Sequence, residues 1–139
     1  MPAGPDPRRT VTLPRALPPP RFRYSPVVQA GGFAFVSGLV GLDTSTGTLV
    51  DGGVYEQTAQ VLRNLKALAD EQGWSLSQLL VARVYCAQAA DAADANRAWD
   101  EAFADVIPPA RTFVTVSALP LGALVEIEFQ FLSGVQACA

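Results

Sequence analysis

The spacing of apolar residues changes period several times along the chain, and each change marks an element. Residues 22–29 read as a strand, Gly31-Gly32 as a tight turn, and residues 33–37 as its hairpin partner. Gly38 ends that second strand in this reading, and residues 43–47, Asp-Thr-Ser-Thr-Gly, form a polar turn. After Gly52-Gly53 the period lengthens. Val54, Thr58, Val61, Leu62, Leu65, Leu68 and Ala69 recur at helical spacing until Gly73, with Glu56, Gln60, Arg63, Asn64 and Glu71 on the opposite side. Residues 75–78, Ser-Leu-Ser-Gln, carry capping-box spacing and predict a single turn. Residues 80–87 read as a strand, and Asp91 or Asp94 caps a second helix that runs to about Asp105. Pro108-Pro109 prevents its continuation. Two strands complete the pattern: one led by Arg111 into Thr-Phe-Val-Thr-Val, the other alternating Val125, Ile127, Phe129 and Phe131 with Glu126 and Glu128.

The order β-β-α-β-α-β-β predicts an α+β fold, one sheet with both helices on one face. The other face then has no cover from its own chain, and a second copy is the expected one. Residues 1–21 form a proline-rich leader ahead of a single domain over 22–139. Pro18-Pro19-Pro20 excludes a helix there and allows a sheet only at an edge. The leader is either a flexible tail or an arm along the domain, with residues 11–13 its one possible short strand.

Composition narrows the picture. A chain of 139 residues, half of them apolar and 17% charged, is one globular domain with apolar surface to spare for a subunit interface. With a net charge of −3 and Lys66 the single lysine, nothing here is suited to displacing counterions from a nucleic acid. Zero histidines exclude a Ser-His-Asp triad, a Cys-His pair and every histidine-ligated metal site. Cys86 lies in an apolar run and reads as a core residue, Cys138 is next to last, and the two lack zinc-site spacing. No apolar stretch spans a bilayer and the first residues lack the apolar core of a signal peptide, so a soluble, cytoplasmic protein is expected.

What remains is charge on the last two strands. On pattern alone Arg111 reads as a strand-end charge, while Glu126 and Glu128 have equal claims to be solvated, interfacial or functional. Four ordered blocks then carry a resemblance: RYSPVVQAGGFAFVSG (23–38), GGVYEQTAQVLRNLKALA (52–69), DANRAWDEAF (94–103) and PPARTFVTVSALPLGALVEIE (108–128). Together they cover nearly all of residues 22–132, and the chain resembles the RidA family, also called YjgF and, in older names, translation inhibitor or endoribonuclease.

That resemblance implies a chorismate-mutase-like fold assembled as a homotrimeric barrel, with active sites in the clefts between subunits. It also implies hydrolysis of 2-imino and enamino acids to 2-oxo acids and ammonia, the 2-iminobutanoate/2-iminopropanoate deaminase reaction, without a cofactor or metal. By the same resemblance Arg111 clamps the substrate carboxylate, through the paired donors of a guanidinium, and Glu126 directs the attacking water. Tyr24, Gly38 and Asn96 line the site. Phe113 stands where members usually have a small residue or cysteine, and Leu39 where many have glutamine, so the usual small substrates are in question. Two other functions stay open: a non-catalytic trimer that binds small carboxylates, and the endoribonuclease of the older names, which the acidic, histidine-free chain disfavours. If the last two strands form a hairpin about Leu119–Gly122, Arg111 and Glu126 lie about 13 Å apart, too far for one small substrate. A site using both is then drawn from different chains.

Overall fold

The computed structural model describes residues 3–134. In chain order its elements are β1 (Thr10–Thr12), β2 (Val27–Ala30), β3 (Phe33–Val40), β4 (Leu42–Asp43), β5 (Thr48–Leu49), α1 (Val54–Gln72), β6 (Leu79–Cys86), α2 (Ala92–Ala102), β7 (Ala110–Thr115) and β8 (Val125–Leu132). Six strands form one sheet in the order β1-β2-β3-β8-β6-β7, and β4 and β5 pair separately. Every pairing is antiparallel except β6 with β7, which α2 joins as a crossover. The fold is α+β, with both helices against one face of the sheet.

Local chemistry explains the helix ends. Gly73 adopts φ 77°, and its N–H reaches the carbonyl of Asp70 to close α1. At the start of α1, Glu56 Oε2 accepts from the Gly53 N–H at 2.8 Å. Ser75 caps the single turn Leu76–Gln78, and Gln78 Oε1 accepts from the Ser75 N–H at 2.7 Å. Among the described residues no helix is long and apolar enough to cross a membrane.

The core lies between α1 and the middle of the sheet. Val125, Ile127, Phe129 and Phe131 of β8 are at most 2% exposed, and they face Val61, Leu65 and Leu68 of α1 in one cluster. Trp74 closes its end, with its ring centroid 4.9 Å from that of Phe131.

The structure corrects the sequence reading at several points. The first hairpin strand begins at Val27, because residues 22–26 run irregularly into Pro26, which has no N–H for a ladder. Gly38 does not end β3: the strand continues to Val40 through a bulge, with Val36 opposite Phe129 but Leu39 opposite Ile127. Asn64 points inward and is 5% exposed, donating from Nδ2 to the Leu42 carbonyl at 2.9 Å. The second helix stops at Ala102, where the Phe103 N–H closes onto the Trp99 carbonyl.

The largest correction concerns the last two strands, which do not form a hairpin. β8 lies between β3 and β6, and β7 sits at the edge beyond β6. Side-chain character accounts for this. β8 offers an unbroken aliphatic and aromatic face that fits the sheet centre, whereas the helix-side positions of β7 are Arg111, Phe113 and Thr115, suited to an edge. The connection crosses the end of β6, held by Val116 N–H to the Cys86 carbonyl and Ala87 N–H to the Leu124 carbonyl. It places Leu121 at φ 62°, the one non-glycine residue with positive φ among the described residues. A β-carbon in that region costs about 1–3 kcal/mol.

Residues 10–17 lie along the domain. β1 pairs with β2, the backbone N–H groups of Arg15 and Ala16 donate to the Glu71 carboxylate at 2.8 and 2.7 Å, and Leu17 enters the core. The sheet face away from the helices carries Val11, Phe33, Phe35, Val114 and Leu132 exposed, around a polar centre of Arg83, Tyr85 and Glu128.

Gly41 makes the closest helix–strand approach. A β-carbon there would stand 2.7 Å from the Gln57 carbonyl oxygen and 2.8 Å from its Cα. Since helix backbone cannot swing aside, Gly41→Ala should destabilise the protein by about 1–3 kcal/mol in chemical denaturation, whereas alanine at exposed Gly4 should be neutral.

Candidate functional site

The period-two alternation of β8 turns Glu126 away from the core. Register sets it beside Tyr85 of β6 and Val40 of β3, and the bulge at Gly38 clears the space above it. A β-carbon at Gly38 would fall 2.7 Å from Glu126 Cδ and 2.9 Å from both Cγ and Oε2. The carboxylate therefore lies across a position that only glycine leaves open. It looks into a cavity of about 340 Å³ that Tyr24 and Gly38 also line, together with residues of the leader.

The two glutamates of β8 differ sharply. Glu128 accepts from the Tyr85 hydroxyl at 2.6 Å and lies 3.8 Å from Arg83 Nη1. That hydrogen bond, with burial and the carboxylate's charge adding to it, pushes the Tyr85 hydroxyl above the usual tyrosine range. Glu126 is half-buried and has no such partner among the described residues. Burial raises its pKa above the ordinary 4.5, and the neighbouring Glu128 raises it further. A half-buried carboxylate with free lone pairs and a raised pKa is suited to taking a proton from water.

Arg111 belongs to a second group. It pairs in register with Ala82, whose side chain is fully buried on the helix side of the sheet. Its guanidinium extends toward α2, where Nη1 donates to Asn96 Oδ1 at 2.8 Å. It also lies over the rings of Trp99 and Phe113, 5.1 and 5.5 Å from their centroids. Phe113 is half-buried against the core and acts as a platform under the arginine. Held by one amide and two rings, the guanidinium keeps donors free for a carboxylate.

Of the six residues singled out in the sequence, the structure thus gathers Tyr24, Gly38 and Glu126 at one place and Arg111, Asn96 and Phe113 at another. It does not bring the two groups together. They point to opposite faces of the sheet, two strands and three residues apart, a backbone separation of about 14 Å. The distance is close to that expected from a hairpin, but its cause is the intervening strand β6. Among the described residues no three metal-ligating side chains cluster.

Comparison with known proteins gives this arrangement a context. The sequence profile described as Endoribonuclease L-PSP matches residues 15–130. The chain belongs to that family, which comprises the YjgF, RidA and RutC proteins. A RutC family protein of Pyrococcus horikoshii is 40% identical over 111 residues, covering 80% of this chain and 87% of the relative. A mouse protein named 2-iminobutanoate/2-iminopropanoate deaminase is 37% identical over 119 residues, covering 86% of this chain and 84% of the relative. Among solved structures, a Rid family protein from Yersinia pestis superposes with a TM-score of 0.83 at 31% identity, covering 88% of this chain and 98% of the other. E. coli TdcF, solved with bound serine, gives 0.82 at 25% identity, covering 88% of this chain and 97% of the other.

Two parts of the candidate site escaped the sequence reading. Trp99 follows Asn96 by three positions, so helical spacing could have placed both under the arginine. The cavity wall formed by Leu17, Phe22 and Leu121 left no comparable signal, since it joins a leader to a turn remote in sequence.

The raised pKa of Glu126 has a measurable consequence. The folded state holds the proton more tightly than the unfolded chain, so ionisation of Glu126 reduces stability as pH rises from about 4.5 through the raised value. Glu126→Gln should therefore unfold at a higher temperature than the parent at neutral pH. The difference should disappear below pH 4.5. Thermal melts across that range check both sign and window.

Proposed function

We propose that the protein hydrolyses 2-imino acids to 2-oxo acids and ammonia, at sites built by two subunits of a homotrimer, without a cofactor. The observation that carries this reading is the separation of its two groups. Arg111 with free donors and Glu126 with free lone pairs face away from each other in one chain, and neither suffices alone. The exposed apolar rim of the uncovered sheet face is the surface through which copies would meet. The name of the mouse relative supports the reaction, and the serine bound to E. coli TdcF supports an amino-acid-like ligand with a carboxylate.

In the proposed mechanism Arg111 of one subunit holds the substrate carboxylate by two parallel charge-assisted hydrogen bonds. Glu126 of its neighbour accepts a proton from a water as the oxygen attacks the imine carbon. Glu126 passes that proton to the nitrogen as the C=N π pair moves there, and a tetrahedral carbinolamine results. Glu126 then takes the carbinolamine hydroxyl proton and delivers it to the amine as the C–N bond breaks, releasing ammonia and forming the carbonyl. Fixing water and substrate in one cleft removes the entropy of bringing them together, and the raised pKa brings Glu126 nearer the range in which it both takes and gives a proton.

The reading predicts a particle of three times the 14.7 kDa chain mass by light scattering. Arg111→Ala should abolish acceleration of imine decay, and Arg111→Lys should restore little, because an ammonium lacks the planar pair of donors. Co-expression gives the sharper test. Mixed trimers of Arg111→Ala and Glu126→Gln chains place both native residues at some interfaces, so about a quarter of the wild-type rate should return from two inactive parents. A mixture as inactive as its parents would show that the residues do not act across an interface. Saturable binding of 2-oxo acids with no faster imine decay would instead point to a carboxylate-binding trimer.

A further inference from the structure

Leu121 stands in an unfavourable conformation and serves no core. Its φ of 62° and ψ of 16° are those glycine adopts freely, and the next residue, Gly122, also has a positive φ, of 70°. Its side chain is 46% exposed. A leucine that gains so little burial and meets a β-carbon penalty would be replaced by glycine or asparagine without loss to the fold. What it does contribute is a wall of the cavity over Glu126. Leu17, Phe22 and Tyr24 face that cavity from the leader side, and Leu39 from β3. The polar groups are few: the Glu126 carboxylate, the Tyr24 and Ser37 hydroxyls, Arg21 and Asn64. Asn64 is occupied by the Leu42 carbonyl and Gln60, the Ser37 hydroxyl donates to the Ser25 carbonyl, and Arg21 donates to the Gly47 carbonyl through one of its N–H groups. Glu126, the Tyr24 hydroxyl and the remaining Arg21 donors are left to act on a ligand, within a lining that is otherwise apolar.

We propose that this cavity is a side-chain pocket, with Leu121 and the leader as its walls, and that it selects 2-imino acids bearing bulky branched or aromatic side chains. The inference rests on the proposed function and adds its substrate class. With the carboxylate on the partner's arginine and the imine carbon at the Glu126 water, the side chain enters a space of about 340 Å³. A methyl or ethyl group would leave most of that volume wet. Each further buried methylene favours binding by about four-fold, so a leucine-derived imine should exceed an alanine-derived one in kcat/KM by at least about ten-fold.

The experiment generates 2-imino acids in place from alanine, leucine and phenylalanine with an amino-acid oxidase and follows their decay with the full-length protein. Beside it, calorimetry measures binding of the corresponding 2-oxo acids, which do not react. Wild type should prefer the leucine- and phenylalanine-derived imines, and Leu121→Gly and Leu121→Asn should lower that preference about ten-fold. Both variants relieve the left-handed leucine, so their melting temperatures should equal or exceed the parent's and lost selectivity cannot be ascribed to unfolding. A preference for the alanine-derived imine, or selectivity unchanged in both variants, overturns the pocket. If no imine is hydrolysed yet the leucine-derived 2-oxo acid binds more tightly than pyruvate, and Leu121→Gly removes the difference, the reaction proposed above fails while the pocket stands.

Discussion

Strand β8 has to be the middle of the sheet, and most of the molecule follows from that. Its buried face supplies four large side chains at most 2% exposed, and no other strand offers so continuous an apolar row. Because side chains alternate along a strand, the same row fixes Glu126 and Glu128 on the opposite face, away from both helices. It also separates β3 from β6 and forces β7 to the edge, where Arg111 turns toward α2. The distance between carboxylate and guanidinium is thus a consequence of core packing. The same geometry that stabilises one chain keeps the two groups of candidate residues apart.

Much of this was legible from residue patterns because it depends on local periodicity. The long helix, its glycine stop, the Ser75 cap and the alternation of β8 are all set within a few residues, and the structure places them within one or two positions of expectation. Strand neighbours are a different matter. Nothing between Thr115 and Val125 announces that the chain must cross β6 rather than turn back, since Pro120 and Gly122 suit a hairpin equally well. The crossing is decided by competition for the central position, which involves strands from both halves of the sequence. The bulge was hidden for a related reason: Gly38 reads as a strand end until the carboxylate that fills its missing side chain is seen.

The site residues divide along the same line. Arg111, Glu126, Tyr24, Gly38, Asn96 and Phe113 were picked out through resemblance, and their grouping into two sets needed the fold. Asn64 was assigned to the outer face of α1 by its polarity, yet it is buried, satisfying a carbonyl that the short β4–β5 hairpin leaves without a partner. Leu17 was hidden inside a proline-rich leader that the pattern left as either a tail or an arm, and Phe22 was read as the start of a strand rather than as a cavity wall. Contacts of that kind depend on a carboxylate fifty-five residues away gripping two backbone amides, which no short window can reveal.

The central place of β8 also orders events during synthesis. Every other strand of the sheet leaves the ribosome before it, so β3 and β6 exist for a time as two open edges with nothing between them. At about 5–20 residues per second, a nascent chain spends seconds with an incomplete sheet and an unshielded apolar helix face. Its early partners are hairpins and helices that cannot close a core by themselves. The contacts that complete the sheet are long-range, the kind that form slowly. Protection from intermolecular strand pairing during that interval therefore has to come from outside the unfinished sheet, and a nascent-chain chaperone would find its target between the emergence of residue 86 and that of residue 125.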